Sequence, residues 1–205
     1  EMTSSLVGSE MCIETEQTVS LAGTKTAYGV IEGRFGNGSA IGGYYNSFNT
    51  SGHDYNNYKR GTELDYLWGA YASLNFSKDW NLLANYERVN YNSNINSTVR
   101  GDEDSATVWI GRLTYGKAVM ATPKTWDAWV EYINAEDGAF IGGSTNSWRF
   151  GQMDNIESWG AGIDYTFAKN AQFQVMQSFA SKLKDSNSDS KDPEEQTRAQ
   201  FVFAF

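Results

Sequence analysis

The sequence predicts an all-β protein whose antiparallel strands follow one another up and down in a single sheet. Apolar and polar residues alternate with a period of two along segments of about ten residues, as they do in a strand with two different faces. Turn-forming residues separate these segments, and no stretch combines helix caps with an apolar stripe at helical spacing. Regular structure is therefore expected to consist of strands.

The N-terminal part of the chain carries the weakest pattern. Residues 1–22 are expected to form a poorly defined segment with one weak strand in Met11–Ser20, and residues 23–205 to form the sheet. Nine clearer strands are predicted at 25–35, 39–47, 66–76, 80–87, 109–115, 126–132, 159–167, 172–179 and 197–205. A tenth strand would give the even number with which bacterial outer-membrane barrels close.

The connections between these strands alternate in length. Tight turns are expected at Gly36, Ser77 and Ala168, with a slightly longer turn at 116–124. Long polar connections are expected at 49–62, 92–105, 135–157 and 182–196. Short turns at one end of the strands and long loops at the other are typical of up-and-down barrels in outer membranes.

Aromatic residues indicate which environment the apolar face meets. In the three clearest hairpins they open and close the strands, on the same face as small and aliphatic residues. These aromatic residues are Trp68, Phe76, Trp80, Tyr86, Trp109, Tyr115, Trp126, Tyr132, Trp159, Phe167, Phe173 and Phe179. Spacings of six or eight residues correspond to roughly 15–20 Å along the normal of a membrane crossed by tilted strands. Two such rows favour an aromatic girdle that faces lipid over the core of a β-sandwich.

The opposite face of the same strands is polar. Its chemistry is that of a water-filled lumen, so these residues are predicted to line a pore. They are Glu32, Arg34, Asn85, Glu87, Arg112, Asp127, Glu131, Asp164, Gln174, Arg198 and Gln200. The two faces together predict a transmembrane β-barrel.

Composition excludes several other functions. The chain has 25 acidic and 16 basic residues, a net charge of −9 that disfavours a nucleic-acid partner. Cys12 is the only cysteine and His53 the only histidine, so we expect no metal centre, no cofactor and no catalytic site. His53 precedes Asp54 in a polar loop, where a solvated pair is expected. The acidic runs 102–104 and 185–195 lack the spacing of a calcium loop.

Three segments carry a resemblance to a family: 27–36, 159–170 and the ending 199–205. With the hairpin 68–89, they resemble the C-terminal barrel region of bacterial outer-membrane porins, most of all the S-layer-homology porins of diderm Firmicutes. The ending, with Phe201, Phe203 and Phe205 in alternation, is similar to the signal that the barrel assembly machinery reads.

The resemblance implies a bacterial outer-membrane location, contact with outer-membrane lipid and a homotrimeric assembly. Members of this family are larger barrels of roughly sixteen strands. They carry a periplasmic S-layer-homology domain, which tethers the outer membrane to peptidoglycan and which this sequence lacks. We therefore expect a C-terminal fragment of a larger barrel, and a small self-closing barrel is the alternative.

The expected function is passive diffusion of ions and small hydrophilic solutes through a polar lumen, as a porin or part of one. A non-channel outer-membrane barrel for envelope structure or adhesion is an alternative, since long loops can make contacts around a plugged interior. A soluble β-sandwich binding module is a second alternative. A propeller is disfavoured, because each repeating unit holds one hairpin and not four short strands.

Overall fold

The computed structural model of the chain describes residues 2–3, 25–49, 64–91, 104–140, 148–149, 153–184 and 191–204. The weak strand expected in Met11–Ser20 lies outside these residues. The described ranges contain ten strands: β1 (Met2–Thr3), β2 (Lys25–Arg34), β3 (Ala40–Asn49), β4 (Leu64–Asn75), β5 (Trp80–Tyr91), β6 (Ser105–Gly116), β7 (Thr125–Ala135), β8 (Ile156–Ala168), β9 (Ala171–Leu183) and β10 (Thr197–Phe203).

The strands form one sheet in chain order, from β1 to β10, without a crossover. Every neighbouring pair is antiparallel, as in β5 and β6, where Ala84 lies opposite Gly111 and Asn85 opposite Ile110. The nine long strands, β2 to β10, confirm the prediction of an all-β, up-and-down antiparallel sheet.

The sheet formed by the described strands is not closed. In the described part of the chain β10 pairs with β9 alone, whereas β2 pairs with β3 and, at Glu32 and Gly33, with β1. A barrel closes only when its first and last strands hydrogen-bond to each other. The two residues of β1 are too few to present a ladder to the seven residues of β10. The alternative of a small barrel that closes on itself is therefore wrong for these residues.

The connections alternate in length as predicted. Short turns join β2 to β3, β4 to β5 and β8 to β9, and a longer turn at 117–124 joins β6 to β7. In the first turn the Phe35 N–H donates to the Ser39 carbonyl at 2.9 Å, and Gly38 adopts a φ of 79° that a residue without Cβ takes without strain. The four longer connections all lie at the opposite end of the strands.

Two apolar clusters lie where the strands enter these long connections. One is formed by Ala106, Val108, Ile133, Ala135, Ala139, Met153 and Ile156. The other is formed by Phe48, Leu64, Leu67 and Val89. Both occupy the same face as the residues predicted to line a pore, and none of those residues belongs to either cluster. The strands extend past their predicted limits here, and residues 136–140 and 153–155 cover the first cluster.

Candidate functional site: the polar face of the sheet

The register brings all eleven residues predicted to line a pore onto one face of the sheet, called the polar face below. Across the middle of the sheet Asp127 lies opposite Asp164, Asp164 opposite Gln174 and Gln174 opposite Gln200. Nearer the first strands, the same face carries Glu32, Arg34, Asn85 and Glu87. Arg112, Glu131 and Arg198 complete the set. The eleven residues share one face, and their role as a pore lining stays a prediction.

The other face, called the aromatic face below, carries the twelve predicted girdle residues. Nine of them expose about two fifths or more of their surface, and Tyr86, Tyr132 and Phe173 are half-buried. At the long-connection end the rings of Trp109, Tyr132 and Trp159 follow one another at 4.9 and 4.8 Å between centroids. At the tight-turn end Trp80 lies 4.9 Å from Tyr115. Two rows of touching rings therefore cross the face.

Small and aliphatic side chains fill the space between the two rows. They are Ala70, Ala72, Leu74, Leu82, Ala84, Gly111, Leu113, Ala128, Val130, Ala161, Ile163 and Val175, with Gln177 as a polar exception. Ile163 is half exposed, at 50%. Water-soluble domains rarely leave so large an apolar patch uncovered. The distribution of polarity is inverted: the apolar side chains are exposed, and the polar side chains lie on the more covered face.

A charged cluster occupies the centre of the polar face. The Glu131 carboxylate accepts from Nε of Arg112 at 3.0 Å through Oε2, and from Nε of Arg149 at 3.2 Å through Oε1. The Arg112 guanidinium also lies over the Trp129 ring, 4.2 Å from its centroid. The pKa of Arg149 is lowered by burial, and the nearby Glu131 charge acts in the opposite direction. One carboxylate thus binds two guanidinium groups.

Trp148 and Arg149 reach this cluster from the connection between β7 and β8. Both are buried against the sheet, where the Trp148 ring lies 5.7 Å from the Trp129 ring. They fit because the wall beneath them is glycine: a Cβ at Gly160 would lie 2.7 Å from Nη2 of Arg149. The neighbouring Gly162 makes room in the same way for Trp129 of β7, because a Cβ there would lie 2.9 Å from Nε1 of Trp129. Sequence reasoning missed Trp148 and Arg149, and the facing glycines on the polar face are the signal that could have indicated them.

Hydrogen bonds continue from this cluster to the connection between β9 and β10. Nη1 of Arg149 donates to Ser158 Oγ at 2.8 Å, and Ser158 Oγ lies 2.7 Å from Ser181 Oγ. Glu195 then accepts from the hydroxyls of Ser178 and Ser181 at 2.7 and 2.8 Å. Two connections are therefore fastened to the polar face through one continuous network.

Carboxylates also fasten the base of the β7–β8 connection. Asp154 accepts from the N–H groups of Gly138 and Phe140 at 3.1 and 3.4 Å, and burial raises its pKa. Burial alone would raise the pKa of Glu136 too, but the N–H of Thr107 and the ammonium of Lys184 outweigh it and lower that pKa. The two ends of the connection are therefore held to each other through Asp154, and to β6 through Glu136.

Several predicted features lie outside the described residues: His53, Asp54, most of the two acidic runs and Phe205. Phe201 and Phe203 lie on the aromatic face of β10, 63% and 56% exposed. Within the described ranges no three His, Cys, Asp or Glu residues are grouped as a metal site would require. No helix in those ranges is long and apolar enough to span a membrane.

Comparison with known proteins adds no family. Neither the scan against protein-family models nor the search of the curated proteins finds a match.

Proposed function

We propose that the chain is an outer-membrane porin or part of one, in which ions and small hydrophilic solutes diffuse along the polar face. The observation that carries the proposal is the inverted sheet: on one face, rows of exposed aromatic rings border a band of small and aliphatic side chains, while Arg112, Asp127, Glu131 and Asp164 lie on the other face. In lipid the apolar band needs no further cover, because hydrocarbon is its solvent.

The aromatic rows favour lipid over a second protein layer as the cover of this face. Trp68 and Phe76 lie eight residues apart on β4 and its turn, and Trp80 and Tyr86 six apart on β5. The rings at the ends suit the two interfaces of a bilayer, where amphipathic rings accumulate. Alanine, glycine and leucine between them offer a smooth surface with little to interlock with a facing sheet.

An open sheet in lipid would leave backbone groups of its edge strands without partners, which is costly. The proposal therefore includes closure by further strands, supplied by a longer chain or by other copies. Closure of that kind agrees with the resemblance to larger, trimeric barrels, and the barrel assembly machinery is then the expected partner for insertion.

The non-channel barrel is a second candidate, and one observation favours it. Trp148 and Arg149 are buried on the polar face, where they occupy space that a solute would otherwise cross. If other connections fill the interior in the same way, the barrel is plugged and its loops serve adhesion or envelope structure.

Planar-bilayer recording tests the proposal. The full chain is refolded in detergent, checked for heat-modifiable migration and added to the bilayer, with boiled protein as the control. We expect stepwise currents that scale with the conductivity of the salt solution, as in a water-filled pore. Correctly folded protein that inserts without current would favour the plugged barrel. Protein that stays monodisperse without detergent would favour the soluble β-sandwich.

A further inference from the structure

Three tyrosines form a platform on the polar face of β2, β3 and β4. The Tyr28 and Tyr44 rings lie 6.5 Å apart between centroids, and the Tyr44 and Tyr71 rings 6.4 Å. The angles between their planes are 37° and 33°, so the rings are tilted side by side and not stacked face to face. Tyr28 is 43% exposed, and the other two are half-buried.

Two glycines allow the rings to lie across neighbouring strands. Gly69 lies opposite Tyr44, and Gly42 opposite Tyr71. A Cβ at Gly69 would lie 2.8 Å from Cε1 of Tyr44, and one at Gly42 would lie 2.7 Å from Cε1 of Tyr71. Any larger residue would lift the rings off the sheet. The platform therefore depends on each tyrosine and on the glycine that lies opposite it on the neighbouring strand.

Tyr44 and Tyr71, the two half-buried tyrosines, each donate a hydroxyl hydrogen bond to a carboxylate. Tyr71 donates to Glu32, whose charge is balanced by an ion pair with Arg34. Tyr44 donates to Oε2 of Glu87 at 2.6 Å. In the described part of the chain no basic side chain lies within ion-pair distance of Glu87, which is half-buried. A half-buried carboxylate without a counter-ion favours a cation beside it.

We propose that this platform, Tyr28, Tyr44 and Tyr71 with Glu87, binds a small organic cation of the alkylammonium class. The faces of tyrosine rings carry negative quadrupole density that attracts such a cation, and hydroxyls that donate to carboxylates strengthen this density. The carboxylate supplies the opposite charge. The role of this site on a permeation pathway rests on the proposed porin function. Binding of the cation can be measured separately, on protein in detergent.

The test uses choline and its uncharged carbon isostere, 3,3-dimethylbutan-1-ol, titrated by calorimetry into the full chain in micelles. We expect choline to bind about tenfold or more tightly than the isostere, since the two ligands share shape and differ in charge. Tyr44→Leu and Glu87→Gln should each weaken choline binding about 5- to 30-fold. Tyr44→Phe keeps the ring and should stay within about threefold of the unmodified chain.

Matched controls lie on the aromatic face. Tyr86→Leu removes a tyrosine ring and Glu157→Gln removes a glutamate charge, both away from the platform. Both variants should leave choline binding unchanged. Equal affinities for choline and the isostere, or equal losses in the site and control variants, would overturn the site. So would tighter binding of a neutral oligosaccharide, which can also stack on flat rings.

The outcomes separate this site from the porin proposal. Stepwise conductance in a chain without preference for choline would overturn the site and leave the channel. Choline binding in a folded, inserted chain that carries no current would leave the site and overturn the channel.

Discussion

Arg149 and Glu131 form an ion pair on the polar face, with Nε of Arg149 3.2 Å from Oε1 of Glu131. Their side chains expose only 1% and 9% of their surface. Because Arg112 occupies the other oxygen of the same carboxylate, Glu131 holds a residue of β6 and a residue of the β7–β8 connection together. The connection is thus attached to the sheet by charge as well as by the packing of Trp148.

Removing the charge of Glu131 should loosen this attachment. Glu131→Gln leaves two guanidinium groups facing each other, and hydrogen bonds to charged groups contribute about 1.5–3 kcal/mol each. We expect the free energy of unfolding in urea, measured in lipid vesicles, to fall by about 1.5–3 kcal/mol. Glu157→Gln, on the aromatic face, is the control and should change it by less than about 0.5 kcal/mol. Equal losses in the two variants would contradict the role of Glu131.

A methyl group at Gly160 should displace Trp148 and Arg149. Because its Cβ would overlap both side chains, Gly160→Ala is expected to release this part of the connection. Trypsin should then cleave after Arg149 faster than in the unmodified chain, and single-channel conductance should rise. Gly111→Ala is the matched control, since nothing lies within 4 Å of its added Cβ. An unchanged cleavage rate in Gly160→Ala would show that the segment does not rely on this space.

Acid should detach the connection before β10. Burial alone would raise the pKa of Glu195, but hydrogen bonds from the N–H of Ser181 and the hydroxyls of Ser178 and Ser181 outweigh it and lower that pKa below its usual 4.5. A carboxyl whose pKa is lower in the folded state stabilises that state above its unfolded pKa, and the contribution is lost as pH falls through the folded pKa.

The measurement is proteolysis after Lys191 between pH 7 and 3, with an acid-tolerant protease and peptide controls for its own activity. Protection should be constant above about pH 5 and decline below the usual pKa of a glutamate. Glu195→Gln should show weaker protection with little pH dependence in that window. Protection that increases toward acid would contradict the assigned sign.

Ion selectivity should be weak and toward cations. Among the residues predicted to line the pore, the polar face carries more acidic than basic side chains. The acidic ones are Glu32, Glu87, Asp127, Glu131 and Asp164, and the basic ones are Arg34, Arg112 and Arg198. Arg149 adds a fourth cation to that face. A small excess of charge, screened within about 8 Å at physiological salt, predicts a cation-to-anion permeability ratio below about three.

Substitution of Arg149 tests whether the charges of the polar face set the ion selectivity. Arg149→Ala should shift the reversal potential in a salt gradient further toward cations, whereas Arg88→Ala, on the aromatic face, should leave it in place. Anion selectivity in the unmodified chain would contradict the charge count.

Alternation of side chains explains why so much of the sheet was predictable. Because successive residues of a strand point to opposite faces, the parity of Trp159, Ile163 and Phe167 was readable from the sequence alone, and so was that of Asp164. The same rule places Tyr28, Tyr44 and Tyr71 on the polar face, but nothing in the alternation indicates that their rings lie together over Gly42 and Gly69.

The features that the sequence did not reveal depend on contacts between distant segments. Trp148 and Arg149 lie in a connection without periodicity, so their burial follows from Gly160 and Glu131 and not from their neighbours in the chain. Closure of the sheet could not be predicted from the sequence either, because it depends on whether β1 is long enough to pair with β10.

Depth-dependent quenching tests the central claim, that the aromatic face meets lipid, most directly. In a Cys12→Ser background, a fluorescent label is attached to Ala84→Cys or to its neighbour Asn85→Cys, and the protein is reconstituted in vesicles. A second pair is Ile163→Cys and Asp164→Cys. Brominated lipid chains should quench labels at 84 and 163, and aqueous iodide those at 85 and 164. Strong iodide quenching at 84 and 163 without quenching by brominated lipid would contradict the account.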